Sequence, residues 1–232
     1  MLDAHPHISA GPESGFLHYL EPILHEQWPR LQLFGRDKAQ WRQAIAAFFS
    51  DFQLEYAQKR GKHRWLDKTP VYTRHLDFVN EIFPESQMIH IIRDGRDVAN
   101  SHQSRWGKQR AWRSIAKWQQ HIRLARAFGA QAGPGRYREL RYEALVAHPE
   151  PELRVLLEYL HEPWDAQVLH YGESEHDYTS NYQQYTGKHR QAVESGQVYS
   201  SRIGAWRQEL NPLLKVALRL RAGTMLRDLG YL

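Results

Sequence analysis

The first segment with side chains suited to holding an anion is Leu66-Asp67-Lys68-Thr69-Pro70. Lys68 follows an apolar stretch typical of a strand, and Pro70 is suited to the first turn of a helix. An ammonium group beside the free backbone N–H groups of a helix start forms an anion site, although a lysine at a strand end is more often simply solvated. Lys68 is therefore a candidate ligand for a phosphate or sulfate group.

The second segment is Arg93-Asp94-Gly95-Arg96-Asp97, which is followed by Ser101. It leaves an apolar run through a glycine and enters a helical pattern, so that Arg93 and Ser101 could contact one phosphate. A guanidinium fork matches phosphate oxygens, and a hydroxyl adds a further donor. Alternatively, the four charged residues at 93, 94, 96 and 97 form only a salt-bridged surface turn. The residues alone leave these two interpretations equal.

Both segments follow predicted strands, and the pattern around them predicts their setting. Apolar residues at three- and four-residue spacing predict a long helix from residue 37 to about 59. The further predicted elements are strands at 64–66, 87–93 and 137–140, and helices at 72–82, from about 98, at 112–128, 149–160 and 203–229, the last interrupted at Pro212. A polar loop is expected at 171–201. Alternating strands and helices predict an α/β protein with a parallel sheet, whose ligands gather at the carboxyl ends of the strands.

Composition restricts the class of protein further. The 232 residues are enough for one core, so a single domain over 1–232 is expected. The absence of cysteine, of a signal-peptide pattern and of a long apolar run predicts a cytoplasmic protein with no membrane partner. The net charge of +5 favours an anionic partner, but the basic residues are scattered, which argues against nucleic acid. The 14 histidines show no metal-ligand spacing, so no metal is predicted.

Together, in this order and at this separation, the two segments resemble the sulfotransferase family that uses 3′-phosphoadenosine 5′-phosphosulfate (PAPS). Members show Lys-Thr-Pro or Lys-Asp-Pro, and then a strand ending in Arg-Asp-x-Arg-Asp with a later serine. Further similar segments are Leu2-Asp3-Ala4-His5-Pro6 with Gly11-Pro12-Glu13, Arg141-Tyr142-Glu143-Ala144-Leu145-Val146, Ile203-Gly204-Ala205-Trp206 and Leu229-Gly230-Tyr231. The pattern is most similar to bacterial members and to tyrosylprotein sulfotransferases.

The resemblance implies a P-loop-NTPase-like sulfotransferase fold, with a parallel sheet flanked by helices and a helix-rich C-terminal half. It also implies roles for six residues. Arg93 and Ser101 would bind the 3′-phosphate of PAPS, Lys68 would stabilise charge on the sulfuryl group and the leaving oxygen, and Glu13 would be the general base. His5 or His7 would be the next candidate base. Tyr142 and Arg202 would approach the nucleotide, and no metal is needed.

The sequence departs from the family at its beginning. Members start with a strand and a loop of the type Arg-Ser-Gly-Thr-Thr that binds the 5′-phosphosulfate, and no such segment precedes Leu2. We therefore expect a truncated domain with weak PAPS binding, low activity and exposed strand edges. A non-catalytic relative that binds nucleotide or a protein partner stays open as the alternative. A kinase is disfavoured, because no Gly-rich loop ends in Gly-Lys-Ser/Thr.

The sequence leaves the acceptor open. The resemblance implies a sulfate acceptor that is a protein tyrosine, a carbohydrate or a small metabolite, since acceptor pockets are built from variable loops. A homodimer is also left open.

Overall fold

The computed structural model describes residues 1–173 and 202–232. Most of the polar loop predicted at 171–201 lies outside these residues. The described residues form two compact units, the first comprising 1–87 and 153–173 and the second 88–152 and 202–232. The single domain expected from chain length stays a prediction, and each unit is treated separately below.

The described residues are α/β. The α-helices are α1 (Phe16–Glu26), α2 (Trp28–Leu31), α3 (Lys38–Lys59), α4 (Leu76–Ile82), α5 (Gly95–Ala132), α6 (Tyr142–Ala147), α7 (Pro149–Tyr159), α8 (Trp206–Glu209) and α9 (Pro212–Asp228). The strands are β1 (Ile8–Ala10), β2 (Arg64–Leu66), β3 (Met88–Ile92) and β4 (Tyr137–Arg141). Short 3₁₀ turns occur at Leu2–Ala4, Gln32–Phe34, Pro70–Arg74, Ala166–Leu169 and Tyr171–Glu173. Within residues 1–173 and 202–232, no helix combines the length and the apolar character that a membrane span requires.

The strands are parallel, as predicted, and they form two pairs. In the first unit β1 pairs with β2, with Ile8 opposite Arg64. In the second unit β3 pairs with β4, with Met88 opposite Tyr137 and Ile92 opposite Arg141. The described residues contain no strand that bonds to both pairs, so the expected sheet is present as two two-stranded sheets.

Helix α3 confirms the long helix predicted from residue 37. It begins at a capping box in which the Asp37 carboxylate accepts from the Gln40 backbone N–H at 2.8 Å, and the Gln40 side chain accepts from the Asp37 N–H at 2.9 Å. Its buried residues are Phe49, Gln53 and Ala57, at intervals of four. Phe48 belongs to the apolar pattern but is 58% exposed. The face that α3 buries is therefore narrower than the pattern predicts, and it includes a polar side chain.

Helix α5 replaces the two helices expected from about 98 and over 112–128. It begins at Gly95, because the Asp94 carboxylate caps the backbone N–H of Arg96 at 2.8 Å. The backbone departs from helical geometry at Gly107, where φ is 81°. Beyond this kink α5 packs against α9 in the core of the second unit, whose buried residues include Ile115, Trp118, Ile122, Leu214, Leu218 and Leu226.

A polar network crosses the β3–β4 pair, where His90 lies opposite Glu139. The Tyr137 hydroxyl donates to Glu139 at 2.9 Å, and Arg126 donates twice to the same carboxylate at 2.8 and 2.9 Å. His90 Nδ1 lies 2.6 Å from the Tyr137 hydroxyl. Since that hydroxyl gives its proton to Glu139, His90 Nδ1 must donate. Burial lowers the pKa of His90 from 6.5 to about 4.

This burial predicts acid sensitivity with a defined sign. Below pH 6.5 the unfolded chain protonates His90 while the folded chain does not, so stability is lost as the pH falls from 6.5 towards 4. The shift corresponds to about 3 kcal/mol of unfolding free energy. Urea unfolding at several pH values should show this loss in the natural protein, and a His90→Gln variant should lack it. An identical loss in both proteins would assign the acid sensitivity to other groups.

Candidate functional site

The first cluster of candidate residues is an ion pair in the first unit. Lys68 lies just after β2 and before the Pro70–Arg74 turn, and its ammonium group donates to the Glu13 carboxylate. Their side chains are 55% and 31% exposed, respectively. Because exposed ion pairs add little stability, this pair is not required for the fold. The structure thus brings together the two residues that the sequence predicts as catalytic.

The loops that carry this ion pair are joined by a network around Asp67. Ser14 Oγ donates to Asp67 Oδ2 at 3.0 Å, and Gln53 donates to the same oxygen at 3.3 Å. Ser14 Oγ also lies 2.9 Å from the Tyr72 hydroxyl, which accepts the Leu17 backbone N–H at 3.2 Å. Since Ser14 gives its proton to Asp67, Tyr72 donates to Ser14. The network therefore fixes the loops on which Glu13 and Lys68 stand.

Sequence analysis assigned no role to these supporting residues. The one signal that could have revealed them is Gln53, a polar residue on the apolar face of α3. Burial raises the pKa of the Asp67 carboxyl, and the hydrogen bond from Ser14 opposes that rise. A buried carboxyl of this kind needs donors around it, and Gln53 and Ser14 supply two to Oδ2, while Oδ1 has no hydrogen-bond partner among the described residues.

His5, a reserve candidate for the general base, is excluded by its hydrogen bonds. It is completely buried, its Nε2 lies 2.9 Å from the Pro163 carbonyl oxygen, and its Nδ1 accepts the His7 backbone N–H at 3.1 Å. Both ring nitrogens are therefore used. His7 Nδ1 pairs with Glu162 at 2.8 Å, and Arg64 donates to the same carboxylate at 2.9 Å.

These contacts also bear on metal binding. His5, His7 and Glu162 offer ligand atoms that lie within 4.8 Å of one another, a grouping that the sequence spacing did not reveal. A metal there would have to displace the backbone partners of His5 and compete with Arg64 for Glu162. The grouping is thus accounted for by hydrogen bonding, and the absence of a metal stays a prediction.

The second cluster surrounds Arg93 at the end of β3. Its Nη2 donates to the backbone carbonyl of Arg202 at 3.1 Å, and its Cζ lies 4.5 Å from the centroid of the Tyr142 ring. The Trp118 indole donates to the Arg93 carbonyl oxygen at 3.0 Å. Within the described residues the other guanidinium nitrogens donate to no partner, and Nε is buried. The second unit therefore holds a positioned guanidinium group with donors left for an anion.

The salt-bridged turn, which was the alternative interpretation of this segment, is present but does not include Arg93. Arg96 pairs with Asp94 at 2.7 Å, stacks over Trp206 with its Cζ 4.0 Å from the ring centroid, and donates to the Tyr231 carbonyl at 2.6 Å. Both carboxylates of the turn have structural partners. In the part of the chain that the structure describes, Arg93 pairs with neither of them. The salt-bridged interpretation is therefore confirmed for Asp94 and Arg96, and phosphate binding by Arg93 stays a prediction.

Asp97 holds the segment in which Arg202 and Trp206 lie. Its carboxylate accepts the backbone N–H of Gly204 at 2.7 Å and that of Trp206 at 3.0 Å. Burial raises the pKa of this carboxyl, and these two hydrogen bonds oppose the rise. A carboxylate that accepts two backbone donors fixes a turn more firmly than a neutral acceptor would.

The side chains of Ser101 and Arg202 make no hydrogen bond with Arg93 among the described residues. Ser101 lies one turn after Asp97 on α5 and so shares its helix face, the one against which Asp97 holds Gly204. Its hydroxyl has no hydrogen-bond partner among the residues that the structure describes. The Arg202 guanidinium pairs with Glu209 at 3.0 Å, so only its backbone carbonyl contacts Arg93. Arg93, Tyr142 and Arg202 are thus brought together, and Ser101 faces the same segment.

Gly95 offers a test of how this cluster is held. A Cβ at Gly95 would lie 2.8 to 2.9 Å from three atoms of the Trp118 indole, which is the group that donates to the Arg93 carbonyl. The indole is rigid, so Gly95→Ala should lower the unfolding free energy by about 1 to 3 kcal/mol in urea titrations. Gly223→Ala on α9, which meets nothing within 4 Å, is the matched control and should be neutral or stabilising. Equal effects of the two changes would contradict this account.

The fold resembles that of sulfotransferase domains of known structure. The sulfotransferase domain of the Synechococcus PCC 7002 olefin synthase aligns with a TM-score of 0.62 and 22% identity, covering 94% of this chain and 86% of that one. The sulfotransferase domain from the curacin biosynthetic pathway aligns with a TM-score of 0.58 and 18% identity, covering 96% of this chain and 90% of that one. At these identities the likeness establishes the fold alone.

Sequence comparison identifies the family. The model described as "Sulfotransferase family" matches residues 1–166, and the chain belongs to this family. A protein-tyrosine sulfotransferase of Drosophila melanogaster is 31% identical over 75% of this chain and 37% of its own length. Protein-tyrosine sulfotransferase A of Caenorhabditis elegans is 28% identical over 74% of this chain and 48% of its own length. The chain therefore spans half or less of these two relatives.

Proposed function

We propose that this protein transfers a sulfuryl group from PAPS to a hydroxyl or amine acceptor. The observation that carries the proposal is the Lys68–Glu13 ion pair, which joins a cation and a carboxylate just after a parallel strand. Sulfuryl transfer needs both charges, because negative charge grows on the leaving oxygen while the acceptor loses a proton. The membership of the chain in the sulfotransferase family supports the same reaction.

In the proposed step the acceptor oxygen or nitrogen forms a bond to sulfur. The bond between sulfur and the bridging oxygen of the 5′-phosphate breaks, and 3′-phosphoadenosine 5′-phosphate leaves. Glu13 takes the acceptor proton, and Lys68 offsets the charge on the sulfuryl group and on the leaving oxygen. When Glu13 is protonated, it no longer neutralises Lys68, so the full ammonium charge becomes available to the leaving group.

For the nucleotide, we assign the 3′-phosphate to Arg93 and Ser101. Arg93 suits this role because one hydrogen bond and the Tyr142 ring orient its guanidinium group, while other donors stay free within the described residues. Tyr142 would act by holding Arg93 against its ring. Arg202 would contribute its backbone carbonyl to the same positioning, since its side chain pairs with Glu209.

Protein tyrosine is the acceptor that we propose to test first. Its support is that relatives covering about three quarters of this chain are named protein-tyrosine sulfotransferases. Carbohydrates and small phenols or amines are the acceptors to test next.

The reaction is tested by incubating the protein with PAPS radiolabelled in the sulfate and a tyrosine-containing peptide. We expect label in the peptide and equimolar 3′-phosphoadenosine 5′-phosphate, and no label when phenylalanine replaces the tyrosine. Calorimetry with 3′-phosphoadenosine 5′-phosphate separates binding from turnover. Binding without transfer to any acceptor would instead support the non-catalytic alternative, and no binding would refute both sulfuryl transfer and a nucleotide-binding role.

A further inference from the structure

Glu21, His75 and His18 in the first unit are joined in series by hydrogen bonds, and they are called the relay below. The Glu21 carboxylate accepts a hydrogen bond from His75 Nδ1, and His75 Nε2 lies 2.7 Å from His18 Nδ1. Glu21 and His18 stand on α1, whereas His75 stands between the Pro70–Arg74 turn and α4. With the carboxylate at one end and two imidazoles in series, a proton can move from His18 through His75 to Glu21.

We propose that this relay makes His18 Nε2 a second proton acceptor for the acceptor hydroxyl. The inference rests on the proposed sulfuryl transfer. In the reaction, the proton of the attacking hydroxyl goes to His18 Nε2, and His18 Nδ1 can pass its own proton along to His75 and Glu21. The attacking hydroxyl has one proton to lose, so Glu13 and His18 Nε2 are alternative acceptors for it. When His18 takes the proton, Glu13 keeps its ion pair with Lys68.

The hydrogen bonds determine the tautomer of His18. An ionised carboxylate only accepts, so His75 Nδ1 carries a proton and donates it to Glu21. The neutral His75 ring then offers Nε2 as an acceptor, so His18 must donate from Nδ1. His18 Nε2 is left with a free lone pair, and it has no hydrogen-bond partner among the described residues. The hydrogen bonds thus leave His18 Nε2 as the unprotonated nitrogen of the ring.

The relay has a net negative charge that one proton would cancel. One carboxylate and two neutral imidazoles carry a net charge of −1, and one added proton makes the group neutral. The His75 and Glu21 side chains are only 14% and 26% exposed. An isolated imidazole at the same place would instead become a cation.

Tyr72 connects the relay to the Glu13 loop. Its backbone carbonyl accepts the His75 N–H at 2.8 Å, and its hydroxyl accepts the Leu17 N–H at 3.2 Å, beside His18. The same hydroxyl lies 2.9 Å from Ser14 Oγ, next to Glu13. The elements that position the predicted base therefore also position the relay.

The proposal is tested by rates and by spectroscopy. We expect His18→Gln to lower kcat at least tenfold with KM little changed, and added imidazole to restore turnover in His18→Ala. Glu21→Gln keeps an acceptor for His75 but removes the charge, and it should lower kcat while the melting temperature is retained. His25→Gln, on the exposed side of the same helix, is the matched control and should leave kcat unchanged. Nitrogen NMR should show His18 protonated at Nδ1 and bare at Nε2.

The possible failures can be told apart. If the natural protein transfers sulfate and His18→Gln does so equally well, the relay proposal is wrong and the proposed function stands. A His18 ring protonated at Nε2 would also overturn the relay. If the natural protein transfers no sulfate to any acceptor, the proposed function itself fails, and the catalytic role of His18 fails with it.

Discussion

Replacing Lys68 with alanine should abolish most sulfuryl transfer while leaving the fold intact. Removing one group that stabilises charge in a transition state lowers kcat on the order of a hundredfold to a thousandfold. The Lys68 side chain is 55% exposed and its partner is Glu13, so little folding energy depends on it. Initial rates with labelled PAPS measure the loss, and thermal unfolding checks that the variant is folded.

The first unit offers a matched control for Lys68. Lys59 forms an exposed ion pair with Glu55 at 2.7 Å, and its side chain is 70% exposed. Lys59→Ala removes the same charge from an ion pair of the same kind, and it should leave kcat unchanged. Full turnover by Lys68→Ala, or an equal loss in Lys59→Ala, would show that Lys68 does not act on the reacting group.

The second large effect is expected on nucleotide binding. Arg93→Ala should weaken the affinity for 3′-phosphoadenosine 5′-phosphate by about tenfold to a hundredfold, because a charge-assisted hydrogen bond contributes about 1.5 to 3 kcal/mol. Arg93→Lys should recover only part of the affinity, since an ammonium group cannot form the two parallel bonds of a guanidinium fork. Titration calorimetry measures the three dissociation constants.

A control for Arg93 must remove the same charge from the same unit. Arg113 is exposed on α5, and Arg113→Ala changes the net charge equally. It should leave the affinity unchanged at moderate ionic strength, where distant charges are screened. Unchanged binding by Arg93→Ala would refute its assignment to the 3′-phosphate, and equal weakening by both variants would indicate a general charge effect.

Local pattern predicted much of the secondary structure. The helix from residue 37, the strands at 64–66 and near 137, and the helix from Pro149 are confirmed. Each depends on spacing, capping or strand propensity within a short window, which the sequence displays directly. The helix starting at 95 was placed three residues late, because its start depends on the Asp94 side chain capping Arg96.

The motif segments were located by sequence, but the partners of their charged residues were not. Asp94 and Arg96 form the ion pair of the surface turn, whereas Arg93 contacts the Arg202 carbonyl, which is 109 positions away. When positive and negative side chains alternate in a short segment, several ion pairs of similar energy are possible. The choice among them follows from which backbone groups the tertiary structure brings near.

Sequence by itself predicted the α/β class from local spacing, and it predicted the family from the resemblance of its motif segments. It also singled out Glu13, Lys68 and Arg93 as candidate site residues. Only the tertiary structure decided that His5 has no free nitrogen and that Gln53 supports Asp67. It also decided that His18 meets His75, 57 positions away. Such contacts join distant parts of the chain, and a hydrogen bond has no signature in the sequence until folding brings its two partners together.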